Sequence, residues 1–107
     1  SPVMMQLIRE KIGFDGLVMS DDISMKAMRG APQDIARATL DAGCDVVLFC
    51  NAPLSERRVV AEAAGQMTAA AQSRAEAALA ARKAPAELDI QAAEDELAAL
   101  MGGQVYG

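Results

Sequence analysis

Two short apolar runs stand out in a chain whose other hydrophobic residues recur at helical spacing. The first, Gly16-Leu17-Val18-Met19-Ser20, follows the turn signal Asp15-Gly16. The second is Asp45-Val46-Val47-Leu48-Phe49-Cys50, stopped by Asn51-Ala52-Pro53. Runs of this length without alternation predict strands buried on both faces, the kind found in parallel sheets. Ahead of them, Ser1-Pro2 has the residue types of a helix start. Val3, Met4, Leu7, Ile8 and Ile12 then share one helical face. Gly13 is placed to close that helix in a left-handed cap, with Phe14 folding back on its last turn. Between the runs, residues 23–31 read as a loop with at most one helical turn. Residues 32–42 predict a helix opened by Pro32 and ended by Gly43, with Ile35, Ala36, Thr39 and Leu40 as its inner stripe. After the second run, Ser55 is placed to cap a third helix. Its apolar stripe is Val59, Val60, Ala63, Ala64 and Met67, and it runs on through the Ala-rich stretch toward Arg82. Pro85 interrupts, and residues 88–101 predict a last helix before Gly102-Gly103.

Strand, helix, strand in this order gives a right-handed parallel crossover, so the fold class expected is α/β. Two strands do not make a stable sheet alone, and parallel strands normally sit in larger architectures with helices on both faces. The chain is therefore expected to be a section of a larger domain, cut upstream of its opening helix cap. Its open strand edges invite pairing with other chains. Alone, it is expected to be oligomeric, molten or dominated by helix.

Composition narrows the function classes. The formal net charge of −5 excludes a nucleic-acid partner, which calls for a clustered basic surface. Arg57-Arg58, beside Glu56 and Glu62, reads as a solvated helix face. The chain has no histidine and only two cysteines, Cys44 and Cys50, so a zinc site would need thiolates and carboxylates alone. Both cysteines read as small buried apolar residues of a reducing compartment. No apolar run approaches the ~20 residues that span a bilayer, so no membrane partner is expected, and no signal-peptide pattern is visible.

The sharpest chemical feature is Ser20-Asp21-Asp22, which delivers two carboxylates at the C-terminal end of an apolar strand. In α/β barrels and open α/β sheets, active sites form at that edge. Neighbouring side chains at a strand end point different ways. One aspartate is thus expected to aim at a pocket and the other to bind backbone amides. Spacing alone leaves three readings open. Both aspartates are turn caps; or the pair holds Mg²⁺ in a receiver-like phosphoacceptor domain, which the Cys50-Asn51 end of the second strand fits badly; or the site is catalytic. The Ala-rich, amphipathic second half also admits a non-catalytic helical interaction module.

The string Gly13-Phe14-Asp15-Gly16-Leu17-Val18-Met19-Ser20-Asp21-Asp22-Ile23-Ser24-Met25-Lys26 resembles the nucleophile motif of bacterial β-N-acetylhexosaminidases of glycoside hydrolase family 3. Ser1-Pro2 and Leu7-Ile8-Arg9 resemble the helix before that motif, and residues 42–51 resemble the last barrel strand. The resemblance covers the first half of the chain; after Arg57 it is only to a generic helical C-terminal region. It implies the C-terminal portion of a TIM-type (β/α)8 barrel, with the last two strand/helix units in residues 1–53 and a helical region in 54–107. It also implies that Asp21 is the catalytic nucleophile of a retaining glycosidase. The substrate class is terminal β-linked N-acetylglucosaminides, from peptidoglycan or chitobiose-like fragments, in cytoplasmic cell-wall recycling, with no metal or organic cofactor. Asp22 is then a capping residue, Met25 touches the sugar, Lys26 is solvated, and Ser24 and Asn51 satisfy local backbone. The family's acid/base loop carries an Asp–His pair and a further His-bearing string; this chain has no histidine and supplies neither.

Overall fold

The computed structural model describes residues 1–25 and 29–103. Among the described residues the fold is mixed α/β: five helices and a two-stranded parallel sheet, with the strand–helix–strand order that the apolar runs predict. Helix α1 begins as an α-helical turn over Pro2–Gln6 and continues as a wider π-helical turn over Leu7–Lys11. Its end follows the expected cap: Gly13 sits at φ +74°, and the Phe14 N–H donates to the Ile8 carbonyl at 3.0 Å. The Phe14 ring lies under the Arg9 guanidinium, 5.9 Å from its centroid.

Strand β1 spans Met19–Asp22 and strand β2 spans Val46–Leu48. Both are shorter than the apolar runs that predict them. Ahead of β1, side chains take up the backbone: Arg9 binds the carbonyls of Phe14 and Gly16, and Asp45 accepts the Val18 N–H at 2.9 Å. These groups are satisfied outside the strand ladder. The pair register is Met19 to Val46 and Asp22 to Leu48, so three steps on β1 match two on β2. Such a shift bends the strand locally and re-aims the side chains beside it.

Helix α2 (Pro32–Asp41) forms as predicted. Its Ala36 is fully buried with Ile23 and with Val60 of α3 (Leu54–Ala64), and Ile35, Val47 and Phe49 pack around them. α3 thus shares one core with the crossover, on a continuous chain across residue 53. Its N-cap is Pro53 rather than Ser55. It ends at Gly65 instead of running to Arg82, and α4 (Ala69–Ala80) starts afresh with Thr68 Oγ1 accepting the Ala71 N–H at 3.2 Å. Met67, expected on the α3 stripe, falls in this break and is 46 % exposed. Helix α5 (Ile90–Leu100) is capped by Asp89, whose carboxylate accepts the Ala92 N–H.

The predicted apolar stripe of α1 does not form the buried face. Val3, Met4, Leu7 and Ile12 are exposed, while Met5 is buried against Gly43. Gly43 is at φ +111°, and a Cβ there would stand 3.3 Å from the Met5 Cβ. Gly43→Ala meets both strain and contact and is expected to cost about 2 kcal/mol. Thermal denaturation of the full-length protein checks this, and an unchanged midpoint refutes the contact.

Packing explains the bare stripe. The accessible surface is 8472 Å², against about 5,700 Å² for a folded monomer of this mass. The radius of gyration is 18.9 Å, against about 13 Å for a compact chain of this length. These 107 residues do not close a core of their own. By themselves they are expected to melt without a sharp cooperative transition and to give weak near-ultraviolet circular dichroism. A steep two-state melt of the monomer counts against that expectation.

Candidate functional site

The C-terminal end of the sheet is assembled from side chains that each do a different job. Ser20 and Asp22 are half-buried, whereas Met19 and Asp21 are exposed, the two-residue period of a strand. Where the register slips, the Ser20 hydroxyl stands in for a backbone acceptor and takes the Leu48 N–H at 3.0 Å. Three residues on, the ladder resumes: the Ile23 N–H donates to the Leu48 carbonyl at 2.9 Å.

Asp22 is fully engaged. Its Oδ1 accepts the N–H groups of Ser24 at 2.9 Å and Cys50 at 3.2 Å, and its Oδ2 accepts the Ser24 hydroxyl at 2.7 Å. The Ser24 N–H and hydroxyl, then the Cys50 N–H, favour the ionised form and hold this carboxyl below the ordinary aspartate range, against a smaller opposing effect of burial. Asp21 is placed differently. Its Oδ1 accepts the Asp22 N–H at 2.8 Å, and among the described residues its second oxygen has no hydrogen-bond partner. The two aspartates therefore divide as neighbouring strand residues must. One ties backbone together, and the other presents a carboxylate oxygen to the outside. Met25 lies three residues beyond the strand end, 50 % exposed. Lys26 lies outside the described residues.

A groove of about 690 Å³ lies elsewhere, between α2, β2, α3 and α4. Leu40, Val47, Phe49, Val60 and Met67 line it together with Arg37 and Arg57. Neither Asp21 nor Met25 lines it. Among the described residues, no three Cys, Asp or Glu side chains stand close enough together to hold a metal ion.

The opposite end of β2 carries a junction that pattern reading missed. Asp45, with its side chain 5 % exposed, accepts Arg9 at 2.7 Å from α1 and Arg74 at 2.7 Å from α4. It also takes the Val18 N–H. Burial pushes this carboxyl up. The Val18 N–H and the two guanidiniums outweigh that and hold it below its ordinary value. Two other expectations need correction. Arg57 is no idle surface charge, since it donates to the carbonyls of Ala52 and Cys50 and so fixes the loop after β2. The thiols are free and less buried than expected: Cys44 is half-buried beside Met5 and Cys50 is exposed, because the strand stops at Leu48.

Comparison with known proteins gives the family. A model of the family described as "Glycosyl hydrolase family 3 N terminal domain" matches residues 1–83, most of the chain. The chain belongs to glycosyl hydrolase family 3. Among curated proteins, it is similar to the beta-hexosaminidase of Thioalkalivibrio sulfidiphilus, 47 % identical over 55 residues, which are 50 % of this chain and 16 % of that protein. It is also similar to the beta-hexosaminidase of Bordetella parapertussis, 48 % identical over 50 residues, 45 % of this chain and 14 % of that protein. The beta-hexosaminidase of Thiobacillus denitrificans is 43 % identical over 61 residues, 55 % of this chain and 17 % of that protein. The matched segments are thus about a sixth of the curated relatives' length. No solved structure matches the chain. The family match extends past Arg57 to residue 83, beyond the half in which sequence reading finds a specific resemblance.

Proposed function

We propose that this chain is the part of a family 3 glycosidase barrel that carries its nucleophile, Asp21, and that the whole protein removes terminal β-linked N-acetylglucosamine. β1 and β2 are then the last two barrel strands, with the helices after β2 packed on the outside. The observation that carries the reading is the split between two adjacent carboxylates at the C-terminal end of a parallel strand. Asp22 is spent on backbone, and among the described residues only the Asp22 N–H binds Asp21, which is exposed at the edge where barrel enzymes work. The names of the matched relatives support the amino-sugar substrate class.

In this reading an Asp21 oxygen bonds to the anomeric carbon as the bond from that carbon to the departing oxygen breaks. A separate acid gives that oxygen its proton. Water then cleaves the glycosyl–aspartate ester, and the sugar leaves with retained configuration. Met25, exposed just past the strand end, packs against the bound sugar. Cell-wall fragments handled in the cytoplasm, peptidoglycan-derived or chitobiose-like, are the substrates we assign.

A fluorinated N-acetylglucosaminide that forms the ester quickly and hydrolyses slowly tests the nucleophile. Full-length protein treated with it is expected to gain the mass of one sugar on the peptide containing Asp21. A label on another carboxylate overturns the reading. The 107-residue chain by itself has no histidine and no acid/base loop of the family type. Loss of general acid help alone is worth ~10²–10⁴-fold. It is expected to show no measurable turnover of 4-methylumbelliferyl N-acetylglucosaminide, and full turnover by it contradicts the division of labour.

A further inference from the structure

We propose that Asp22 is the positioning residue of this site: its carboxylate ties the end of β1 to the end of β2 and thereby fixes the backbone amide that holds Asp21. The inference rests on Asp21 being the nucleophile.

The connection is a continuous chain of short contacts. The Cys50 N–H, just beyond the end of β2, donates to Asp22 Oδ1 at 3.2 Å, and the Asp22 N–H donates to Asp21 Oδ1 at 2.8 Å. Ser24, two residues on, closes the other side with its N–H on Oδ1 and its hydroxyl on Oδ2, at 2.9 and 2.7 Å. One side chain thus holds the strand that bears Asp21, the turn that follows it and the end of the neighbouring strand. The ladder needs such a clamp here. The register has slipped by one residue, and Leu48 finds only a hydroxyl where a backbone acceptor belongs. A slipped strand end has fewer ladder bonds to fix its direction. The side chain of Asp22 supplies what the ladder lacks. Placement matters to this chemistry because a shift of about 1 Å at a reacting group can cost ~10²-fold in rate.

The role belongs to the shape of the acceptor and not to its charge, which makes it separable from simple electrostatics. An asparagine in this place keeps an oxygen for the two N–H groups and offers its amide to the Ser24 hydroxyl, which can accept. A glutamate keeps the charge but carries it one methylene too far. Kinetics of the full-length protein on 4-methylumbelliferyl N-acetylglucosaminide give the test. Asp22→Ala is expected to lower kcat ~10²-fold with KM within about threefold, at an unchanged fold by circular dichroism. Asp22→Asn is expected to retain kcat within about fivefold, and Asp22→Glu to lose at least tenfold. If Asp22→Ala fails to fold, the Asn and Glu pair still decides. Asn as poor as Glu, or Glu as good as the parent, overturns the clamp, as does an Asp22→Ala protein of parental kcat. Asp21→Gly run alongside keeps the two readings apart. Turnover surviving in that protein removes the nucleophile itself. Turnover lost there but intact in Asp22→Ala removes only the positioning role.

Discussion

In the full-length protein, Asp21→Gly is expected to lower kcat on a β-N-acetylglucosaminide by at least ~10³-fold, and added azide is expected to restore turnover with an α-glycosyl azide as product. The first effect follows from losing the covalent step, which splits one difficult displacement into two easier ones. The second follows from geometry. Removing the side chain leaves a space beside the anomeric carbon on the face Asp21 attacks. A small anion entering there displaces the aglycone once, so configuration inverts, whereas in the proposed mechanism the parent displaces twice and retains it. Stability is expected to change little. Asp21 is exposed and its partner is the N–H of its own neighbour. The glycine itself costs roughly 0.5–1 kcal/mol in a strand. A β-configured azide product, or turnover near that of the parent, excludes Asp21 as the nucleophile.

The second large effect lies at the other end of β2. Asp45→Ala is expected to destabilise the full-length protein by about 3 kcal/mol, as is typical for losing hydrogen bonds to a charged group. The variant leaves Arg9 and Arg74 without their shared carboxylate and the Val18 N–H without its acceptor. Asp45→Asn keeps an acceptor for Val18 and is expected to lose about half as much. Urea unfolding monitored by circular dichroism measures both. Because the folded-state pKa is below the ordinary value of 3.8, the junction contributes fully above about pH 4. Its contribution disappears as pH falls through the lowered folded-state value. The parent is therefore expected to lose stability steeply in acid, and Asp45→Ala to lose less over the same range. Equal acid sensitivity in the two proteins contradicts the assignment.

The features legible in the sequence are those fixed by neighbours along the chain. Pro32 and Gly43 bracket α2, Gly13 caps α1, and the two apolar runs give a parallel pair joined by a helix. Half of the division between Asp21 and Asp22 was legible as well: one of them, Asp22, binds backbone amides, while the groove between α2, β2, α3 and α4 does not reach Asp21. What was not legible depends on partners distant in sequence. Arg9 meets Asp45 across 36 positions, and no local pattern marks either residue. The slip between β1 and β2 exists only once the strands pair. The break between α3 and α4 did leave a signal. Gly65 followed by Thr68 is a stop and a cap, but the alanines around them have such high helix propensity that pattern reading runs straight through. The solvent-facing stripe on α1 is the reverse case: its pattern promises burial, and no described residue covers it.

Strand β2 has a further consequence for how this protein can change. At its start a shared carboxylate fastens two helices. Just past its finish the Cys50 amide is tied to the Asp22 carboxylate. Because these two ends are separate, on the proposed reading of Asp21 changes around Met25 would alter substrate preference without drawing on the stability supplied by Asp45. A lineage or an engineer can thus remodel specificity at one pole and thermal endurance at the other as nearly independent traits.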